Sequence, residues 1–213
     1  MKLYYAETLN PRKACAVAKH LNAPVEFVRV ELLKGEHKQP AYLAKNPNGR
    51  VPALEVSGDL TIWEADAIMV YLARFAGSDL MPDDDRQVEV MRWLSWGTQH
   101  FTRHTGQHYF EYIIKPWAKG AFGAPNPDAA AEATKLLRPN AAILNEHLAS
   151  RKYLLGDRLT IADFSVAVTL PYAKKAQIPL GDFPHIVRWH DRLMELPAWR
   201  DPFPHPVPEV LAA

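Results

Sequence analysis

The sequence predicts an α/β domain followed by an all-helical domain. Strand and helix patterns alternate through roughly the first 75 residues, whereas almost every later pattern is helical. A polar, proline-containing stretch, SDLMPDDDR, separates the two halves. We therefore expect an α/β domain over residues 1–77, a linker over 78–86 and a helical domain over 87–213.

The chain opens with a short apolar stretch, KLYY, that predicts a strand. Asn10 and Pro11 then predict a helix start, because asparagine is a preferred N-cap and proline suits the first helical position. Apolar and charged residues alternate over residues 28–32, which predicts a second strand.

Two further strands and a helix follow. ALEV and LTIW flank Ser57-Gly58-Asp59, the signature of a hairpin. A helical stripe comes next, closed by Gly77 and formed by Ile68, Tyr71, Leu72 and Phe75. The order β-α-β followed by β-β-α is the thioredoxin-like arrangement. One residue breaks the pattern, since Pro52 stands at the entry of a strand although it cannot donate to a sheet.

The second half contains three apolar stripes at helical spacing. Their members are Val90, Trp93, Leu94, Gly97 and Phe101; Ala133, Leu136, Leu137, Ala141, Leu144 and Leu148; and Ile186, Trp189, Leu193 and Leu196. Thr160 and Asp163 predict a capping box at the start of another helix. The proline-rich tail, DPFPHPVPEV, predicts an extended segment.

Composition narrows the possible functions. A net charge of +1 provides no electrostatic reason to expect nucleic acid or an anionic membrane as a partner. No apolar run approaches the roughly 20 residues that span a bilayer, and the N-terminus lacks the apolar region of a signal peptide. A single cysteine, Cys15, excludes an internal disulfide. We expect a cytoplasmic protein.

The sequence resembles the cytosolic glutathione transferases over essentially its full length. The motifs NPNGRVPALEV, LTIWEADAIMVYLA and YLLGDRLTIADFSVA carry the resemblance, in the family's order and spacing. It implies a thioredoxin-like N-terminal domain, an all-helical C-terminal domain and a homodimer. The nearest patterns are those of bacterial nu-, phi- and theta-like members.

The resemblance also accounts for Pro52. In this family the matching proline follows a cis peptide bond, a form that costs only about 0.5–1 kcal/mol before proline. The Val51 N–H and C=O would then point outward, and a cysteinyl peptide could pair with them as an added strand.

The resemblance assigns the remaining glutathione contacts. Glu64 would hold the γ-glutamyl amine, and the Ala65 N–H at a helix start would receive the γ-glutamyl carboxylate. Many relatives have serine in place of Ala65. Asp66 could either repel that carboxylate or hold the amine. The glycine carboxylate would meet the basic side chains His37, Lys38 and Arg50.

Three residues are candidates for stabilising the glutathione thiolate. Tyr5, Thr8 and Asn10 stand near the start of the first helix, and the pattern is most similar to nu-class members with a threonine and an asparagine. Asn10 could cap the helix while donating a hydrogen bond to sulfur. Cys15 lies further into the helix and is interpreted as a packing residue.

The resemblance places the second substrate against the first long helix of the helical domain. The candidates for this electrophile pocket are Trp96, His100, Arg103, His104, His108 and Tyr112. The three histidines recur every four residues, a spacing that can chelate Zn²⁺ or Ni²⁺. No HExxH glutamate or cysteine cluster accompanies them, and we expect no metal.

The predicted function is a detoxifying glutathione transferase acting on a small aromatic or apolar electrophile. A glutathione-dependent disulfide-bond reductase of the nu type would use the same site. A glutathione transferase-like binding module without activity is the alternative from another class, and an isomerase or dehalogenase on this scaffold is a further one.

Overall fold

In the computed structural model, which describes residues 1–212, four strands form one mixed sheet. They are β1 (Lys2–Tyr5), β2 (Glu26–Arg29), β3 (Ala53–Ser57) and β4 (Leu60–Trp63), in the order β2-β1-β3-β4. β1 is parallel to β2, while the β1–β3 and β3–β4 pairs are antiparallel. The predicted thioredoxin-like fold of the first half is confirmed.

Three helices belong to this half: α1 (Leu9–His20), α2 (Pro40–Leu43) and α3 (Ala65–Phe75). The predicted start of α1 is wrong, because the N-cap is Thr8 and Asn10 already lies in the first turn. Thr8 has the extended backbone that an N-cap requires, and the Arg12 N–H donates to its carbonyl at 3.0 Å. Pro11 is tolerated because a first-turn N–H has no partner within the helix.

The predicted second strand is displaced by about two residues. β2 ends at Arg29, and Leu32 lies in a 3₁₀ turn formed by Leu32–Lys34, followed by a second turn, Glu36–Lys38. β2 pairs only with β1, whose last residue, Tyr5, is opposite Arg29. The length of the partner strand therefore sets where β2 ends, even though the alternating pattern continues.

The second half begins with one long helical run from residue 86 to residue 117. It consists of α4 (Arg86–Trp96), α5 (Thr102–Tyr109) and α6 (Lys115–Trp117), joined by π-helical segments Gly97–Phe101 and Phe110–Ile114. The remaining helices are α7 (Pro127–His147), α8 (Ile161–Val166), α9 (Pro184–Met194) and α10 (Pro197–Arg200), with 3₁₀ turns at Leu170–Tyr172 and Glu209–Leu211. The tail is otherwise irregular from residue 201 to residue 208, and Ala213 lies outside the described residues.

The predicted apolar stripes form most of the helical core. In α7 the residues Ala133, Leu137, Ala141 and Leu144 are buried, as expected, but Leu136 is exposed. Successive residues of a helix point about 100° apart, so burial of Leu137 turns Leu136 toward solvent. The capping box of Thr160 and Asp163 at the start of α8 is confirmed.

Helix α1 joins the two halves. It packs against α3 and also contacts α8 and α10. Arg12 is buried at this junction, where its Nη2 donates to the Trp199 carbonyl at 2.6 Å and its guanidinium lies over the Tyr172 ring. Within residues 1–212 no helix has both the length and the apolar character needed to cross a membrane.

Candidate functional site

The strand register brings four loops to one end of the sheet. Tyr4 is opposite Ala53, so the segment after β1 lies beside the segment before β3. Ala53 is also opposite Trp63, so the residues that follow β4 lie at the same end. Because β2 runs parallel to β1, the turns after β2 also reach this end. The predicted glutathione-contacting and thiol-contacting segments are thus neighbours.

The segment before β3 leaves a peptide unit unpaired. The Val51–Pro52 bond is cis, as expected, and no backbone group within residues 1–212 hydrogen-bonds to the Val51 N–H or C=O. The preceding carbonyl, that of Arg50, accepts from the Tyr42 hydroxyl and from the Asn46 side-chain amide, each at 2.7 Å. Buried contacts therefore hold the segment, while the Val51 peptide groups remain available.

Asn46 is a site-building residue that the sequence interpretation missed. Besides holding the Arg50 carbonyl, its side-chain oxygen accepts from the Asn48 N–H at 3.1 Å. The signal was present in the run Asn-Pro-Asn-Gly, because asparagine side chains commonly hydrogen-bond the backbone two residues on.

The basic turn lies directly against this segment. Gly49 has φ +56°, and a Cβ built there would be 2.8 Å from Lys38 Nζ and 3.0 Å from the His37 carbonyl oxygen. Glycine allows this close approach, which brings the Lys38 side chain against Gly49, the residue before Arg50. Burial and the Lys38 charge lower the pKa of His37 below its usual value. His37 is therefore neutral near pH 7, and the charge for an anionic group must come from Lys38 and the exposed Arg50.

Glu64 has an unusual backbone conformation at the start of α3. Its φ of +69° lies in the left-handed region, which a residue other than glycine occupies at a cost of about 1–3 kcal/mol. Such conformations cluster at functional sites. The Glu64 side chain is exposed, and among the described residues it has no ion-pair partner. Ala65, the first residue of α3, is buried beneath it.

The three thiol candidates occupy different environments. Thr8 is half-buried at the N-terminus of α1, and its hydroxyl makes no capping hydrogen bond. Asn10 is exposed in the first turn and is not the N-cap. Tyr5 is fully buried, with its ring stacked on Phe203 at 5.9 Å.

The hydroxyl of Tyr5 is buried. Burial raises the pKa of Tyr5 far above its usual range, and the hydroxyl lies within the protein. We therefore leave Tyr5 out of the proposed site. Cys15 lies in the core, as expected of a packing residue, and burial raises the pKa of its thiol.

An ion pair that the sequence interpretation did not identify holds the loop that carries Thr8. Glu7 is buried and accepts from Arg29 Nε at 2.6 Å and from Nη2 at 3.1 Å. Both hydrogen bonds connect the β1–α1 loop to the end of β2. They hold Glu7 in place, and Thr8 is the next residue in the chain.

The predicted electrophile residues differ in exposure. His100 and Arg103 are exposed, and Trp96, His104 and Tyr112 are half-buried. His108 is buried, and its Nε2 lies 3.0 Å from the Thr134 hydroxyl of α7. Its side chain therefore packs between helices of the C-terminal half and does not line an open pocket.

The histidine series also fails to converge on a metal. The π-helical segment Gly97–Phe101 changes the angular spacing, so the ideal four-residue stripe is broken between His100 and His104. Within the described part of the chain, no group of three His, Cys, Asp or Glu side chains is arranged to hold a metal ion. Burial lowers the pKa of both His104 and His108.

These features define a class of protein. A thioredoxin-like sheet brings an unpaired peptide unit, two helix N-termini and a basic turn to one end, and a helical domain packs against it. An unpaired peptide unit, basic side chains and helix N-termini are the groups that bind an extended peptide with free carboxylates.

The comparisons with known proteins name the family. The model of the glutathione S-transferase N-terminal domain matches residues 1–74, and that of the C-terminal domain matches residues 106–197. A probable glutathione S-transferase of Oryza sativa subsp. japonica, GSTF2, is 34% identical over 93% of each chain. Glutathione S-transferase 3 of Zea mays is 33% identical, over 92% of this chain and 90% of its own. The chain belongs to the glutathione S-transferase family.

Solved structures agree with this assignment. Glutathione transferase F7 from Populus trichocarpa has a TM-score of 0.86 at 28% identity, covering 94% of this chain and 96% of its own. Maize glutathione S-transferase I in complex with an atrazine glutathione conjugate has a TM-score of 0.83 at 27% identity, covering 94% and 95%. The expected family, fold class and enzyme class are confirmed.

Proposed function

We propose that this protein conjugates glutathione to a small aromatic or apolar electrophile, as a detoxifying transferase. The unpaired Val51 peptide unit beside Lys38 and Glu64 supports this proposal most directly. An extended tripeptide would pair its cysteinyl N–H and C=O with Val51 and complete the hydrogen bonds that the backbone of residues 1–212 does not make there. The glycine carboxylate of the ligand then lies near the positively charged Lys38, and its γ-glutamyl amine lies near the negatively charged Glu64.

Each end of glutathione has a chemical partner in this arrangement. Lys38 and Arg50 receive the glycine carboxylate, with neutral His37 available as a hydrogen-bond donor. Glu64 binds the γ-glutamyl amine, and the N-terminus of α3 receives the γ-glutamyl carboxylate. The serine hydroxyl of many relatives is absent at Ala65, which removes one hydrogen bond worth about 1 kcal/mol.

The sulfur lies over the N-terminus of α1 in this proposal. The Thr8 hydroxyl donates a hydrogen bond to the thiolate, and the positive end of α1 adds about 0.3–1 kcal/mol of stabilisation. Asn10 is a second donor from the same turn. The thiol proton passes to solvent, the sulfur forms a bond to the electrophilic carbon, and the leaving group departs with its electron pair. No covalent bond to the enzyme forms.

The electrophile binds against the half-buried and exposed residues of the long helix in this proposal. Trp96, His104 and Tyr112 offer apolar and aromatic surface, and His100 and Arg103 can polarise a leaving group. His108 is left out because its ring faces Thr134.

Calorimetry and two assays test the proposed function. We expect heat of glutathione binding at millimolar concentration or below, and turnover of a chloronitrobenzene-type acceptor. A Glu64→Gln variant should bind glutathione more weakly while folding normally, because the Glu64 side chain is exposed. Absence of binding would favour the non-catalytic module, and turnover of hydroxyethyl disulfide alone would favour the reductase.

We also propose that the protein is a cytoplasmic homodimer, and an exposed apolar surface on α3 and β4 supports self-association. This surface, the α3–β4 patch, lines a shallow groove of about 550 Å³ formed by Ile62, Ala67, Val70, Tyr71, Arg74 and Phe75. Phe75 is 56% exposed, and Leu60 and Trp63 lie exposed nearby. A patch of this kind on a soluble protein indicates a partner surface.

The Phe75→Asp variant is expected to shift a wild-type dimer toward monomer, since a carboxylate in an apolar interface must be desolvated without a partner. Sedimentation velocity measures the change. Leu33→Asp is the matched control, because Leu33 is 55% exposed but lies outside the α3–β4 patch. Equal effects of the two substitutions, or a monomeric wild type, would contradict the proposal.

A further inference from the structure

A partly buried cluster of three polar residues lies at the start of α3, with Lys13 and Ser165 buried and Asp66 half-buried. Lys13 Nζ is 2.7 Å from Asp66 Oδ1 and donates to Ser165 Oγ at 3.0 Å. The Ser165 hydroxyl donates to the same Asp66 oxygen at 2.8 Å. The cluster thus connects α1, α3 and α8, which come from both halves of the chain.

The charges in this cluster are well matched. The Lys13 side chain is only 6% exposed, and Asp66 is its sole ion-pair partner among residues 1–212. A buried ammonium without a partner would be strongly destabilising, so this contact determines where the Asp66 carboxylate lies.

Asp66 occupies a critical position for an anionic ligand. It is the second residue of α3, directly after Glu64 and Ala65, in the turn whose N–H groups lack partners within the helix. A free aspartate there would attract those N–H groups to itself and would repel a ligand carboxylate. With Asp66 neutralised by Lys13 and hydrogen-bonded by Ser165, the N-terminus of α3 keeps its positive character.

We propose that Lys13 is a positioning residue for glutathione: by pairing with Asp66 it draws that carboxylate toward α1 and α8 and leaves the N-terminus of α3 to the γ-glutamyl carboxylate. This inference rests on the proposed function. The sequence left open whether Asp66 repels the ligand carboxylate or holds the amine, and pairing with Lys13 removes the repulsion. Lys13 thereby has a role in binding although its side chain does not touch the ligand.

The test compares glutathione binding in four proteins: wild type, Lys13→Met, Arg12→Met and the double variant Lys13→Met/Asp66→Asn. Lys13→Met is expected to raise the Kd and the KM for glutathione about tenfold, well within the 10²-fold that a 1 Å misplacement can cost. The kcat at saturating glutathione should remain within about twofold, because the thiol site at α1 is unchanged.

Arg12→Met is the matched control. Arg12 is the neighbouring buried cation on α1 and also joins the two halves, but its contacts are with Trp199 and Tyr172 rather than with α3. Its loss should lower the melting temperature while the Kd for glutathione stays within about twofold of wild type.

The double variant separates positioning from simple loss of structure. Removing the Asp66 charge together with Lys13 should restore binding to within about threefold of wild type, since no free carboxylate then competes at α3. If Lys13→Met alone does not fold, a double variant that binds more than about tenfold more weakly than wild type still overturns the inference.

Four results would overturn the inference. The first is that Lys13→Met binds glutathione as tightly as wild type, and the second is that Lys13→Met and Arg12→Met raise the Kd equally. The third is that the double variant binds glutathione no better than Lys13→Met alone. The fourth is that the double variant binds glutathione more than about tenfold more weakly than wild type. If wild type itself binds no glutathione at millimolar concentration, the proposed function fails, and this inference with it. That outcome is recognisable before any variant is made.

Discussion

Replacing Thr8 with valine is expected to lower kcat/KM for conjugation about 10²-fold. Valine keeps the shape of threonine but removes the hydroxyl. A hydrogen bond to a charged acceptor contributes roughly 1.5–3 kcal/mol, which corresponds to a factor of about 10–150 in rate. Because the Thr8 hydroxyl makes no capping bond, its loss should change the unfolding free energy far less than the rate.

The pH dependence of kcat/KM shows whether Thr8→Val slows conjugation by destabilising the thiolate. If Thr8 stabilises the thiolate, its removal raises the pKa of bound glutathione toward the free-thiol value of about 8.5. The pH profile of kcat/KM, which requires the thiolate, should then move to higher pH by about one to two units. Thr8→Ser retains the hydroxyl and is the control.

Asn10→Ala is the informative comparison. Asn10 is exposed in the first turn and does not cap the helix, so its loss should slow turnover less than Thr8→Val while glutathione affinity stays nearly intact. A larger effect at Asn10, or a pH profile of Thr8→Val identical to that of wild type, would assign thiolate stabilisation to Asn10 instead.

Asp163→Ala is expected to destabilise the fold by about 4 kcal/mol, more than the loss of a typical helix cap, which is about 0.5–2 kcal/mol. Asp163 is fully buried, and each carboxylate oxygen accepts two hydrogen bonds. Oδ1 accepts from the Leu154 N–H at 2.9 Å and from Trp189 Nε1 at 3.0 Å. Oδ2 accepts from the Thr160 N–H at 2.9 Å and from its hydroxyl at 3.2 Å.

Alanine would leave these four donors buried without a partner, each at a cost of about 1–3 kcal/mol before relaxation. Urea denaturation measures the difference, and Thr160→Ala, which removes one of the donors, should cost only about 1 kcal/mol. A loss below about 2 kcal/mol for Asp163→Ala would show that Asp163 acts only as a cap.

Titration provides a second readout for Asp163. Burial raises the pKa of Asp163 from 3.8 to about 6, against the hydrogen bonds that lower it. A folded-state pKa above the unfolded value means that the folded state binds the proton more tightly, so ionisation costs stability as pH rises from about 4 to about 6. The Asp163→Asn variant should lack this component of the pH dependence.

Sequence reasoning worked where the signal is local. The hairpin of ALEV and LTIW, the capping box at Thr160 and the apolar stripes all depend on residues within one or two turns of each other. The cis bond at Pro52 was expected from the resemblance rather than from a local rule.

Sequence reasoning was less successful where contacts with residues distant in the chain determine an element's end or a side chain's burial. The end of β2 depends on the length of β1. The start of α1 is a local error, since the N-cap is Thr8 rather than Asn10 and the first helical hydrogen bond joins the Arg12 N–H to the Thr8 carbonyl. His108 was expected in an open pocket but is buried against Thr134 of α7, a residue 26 positions further along the chain.

The sequence by itself determined the fold class and the family, since periodicity, turn chemistry and motif spacing are properties of neighbouring residues. Only the tertiary structure decided that Tyr5 is enclosed, that the Thr8 hydroxyl makes no capping hydrogen bond within residues 1–212 and that Lys13 pairs with Asp66. Burial and ion pairing at these residues depend on side chains from elements far away in the chain. No local pattern encodes such contacts, because they exist only once the two halves have packed together.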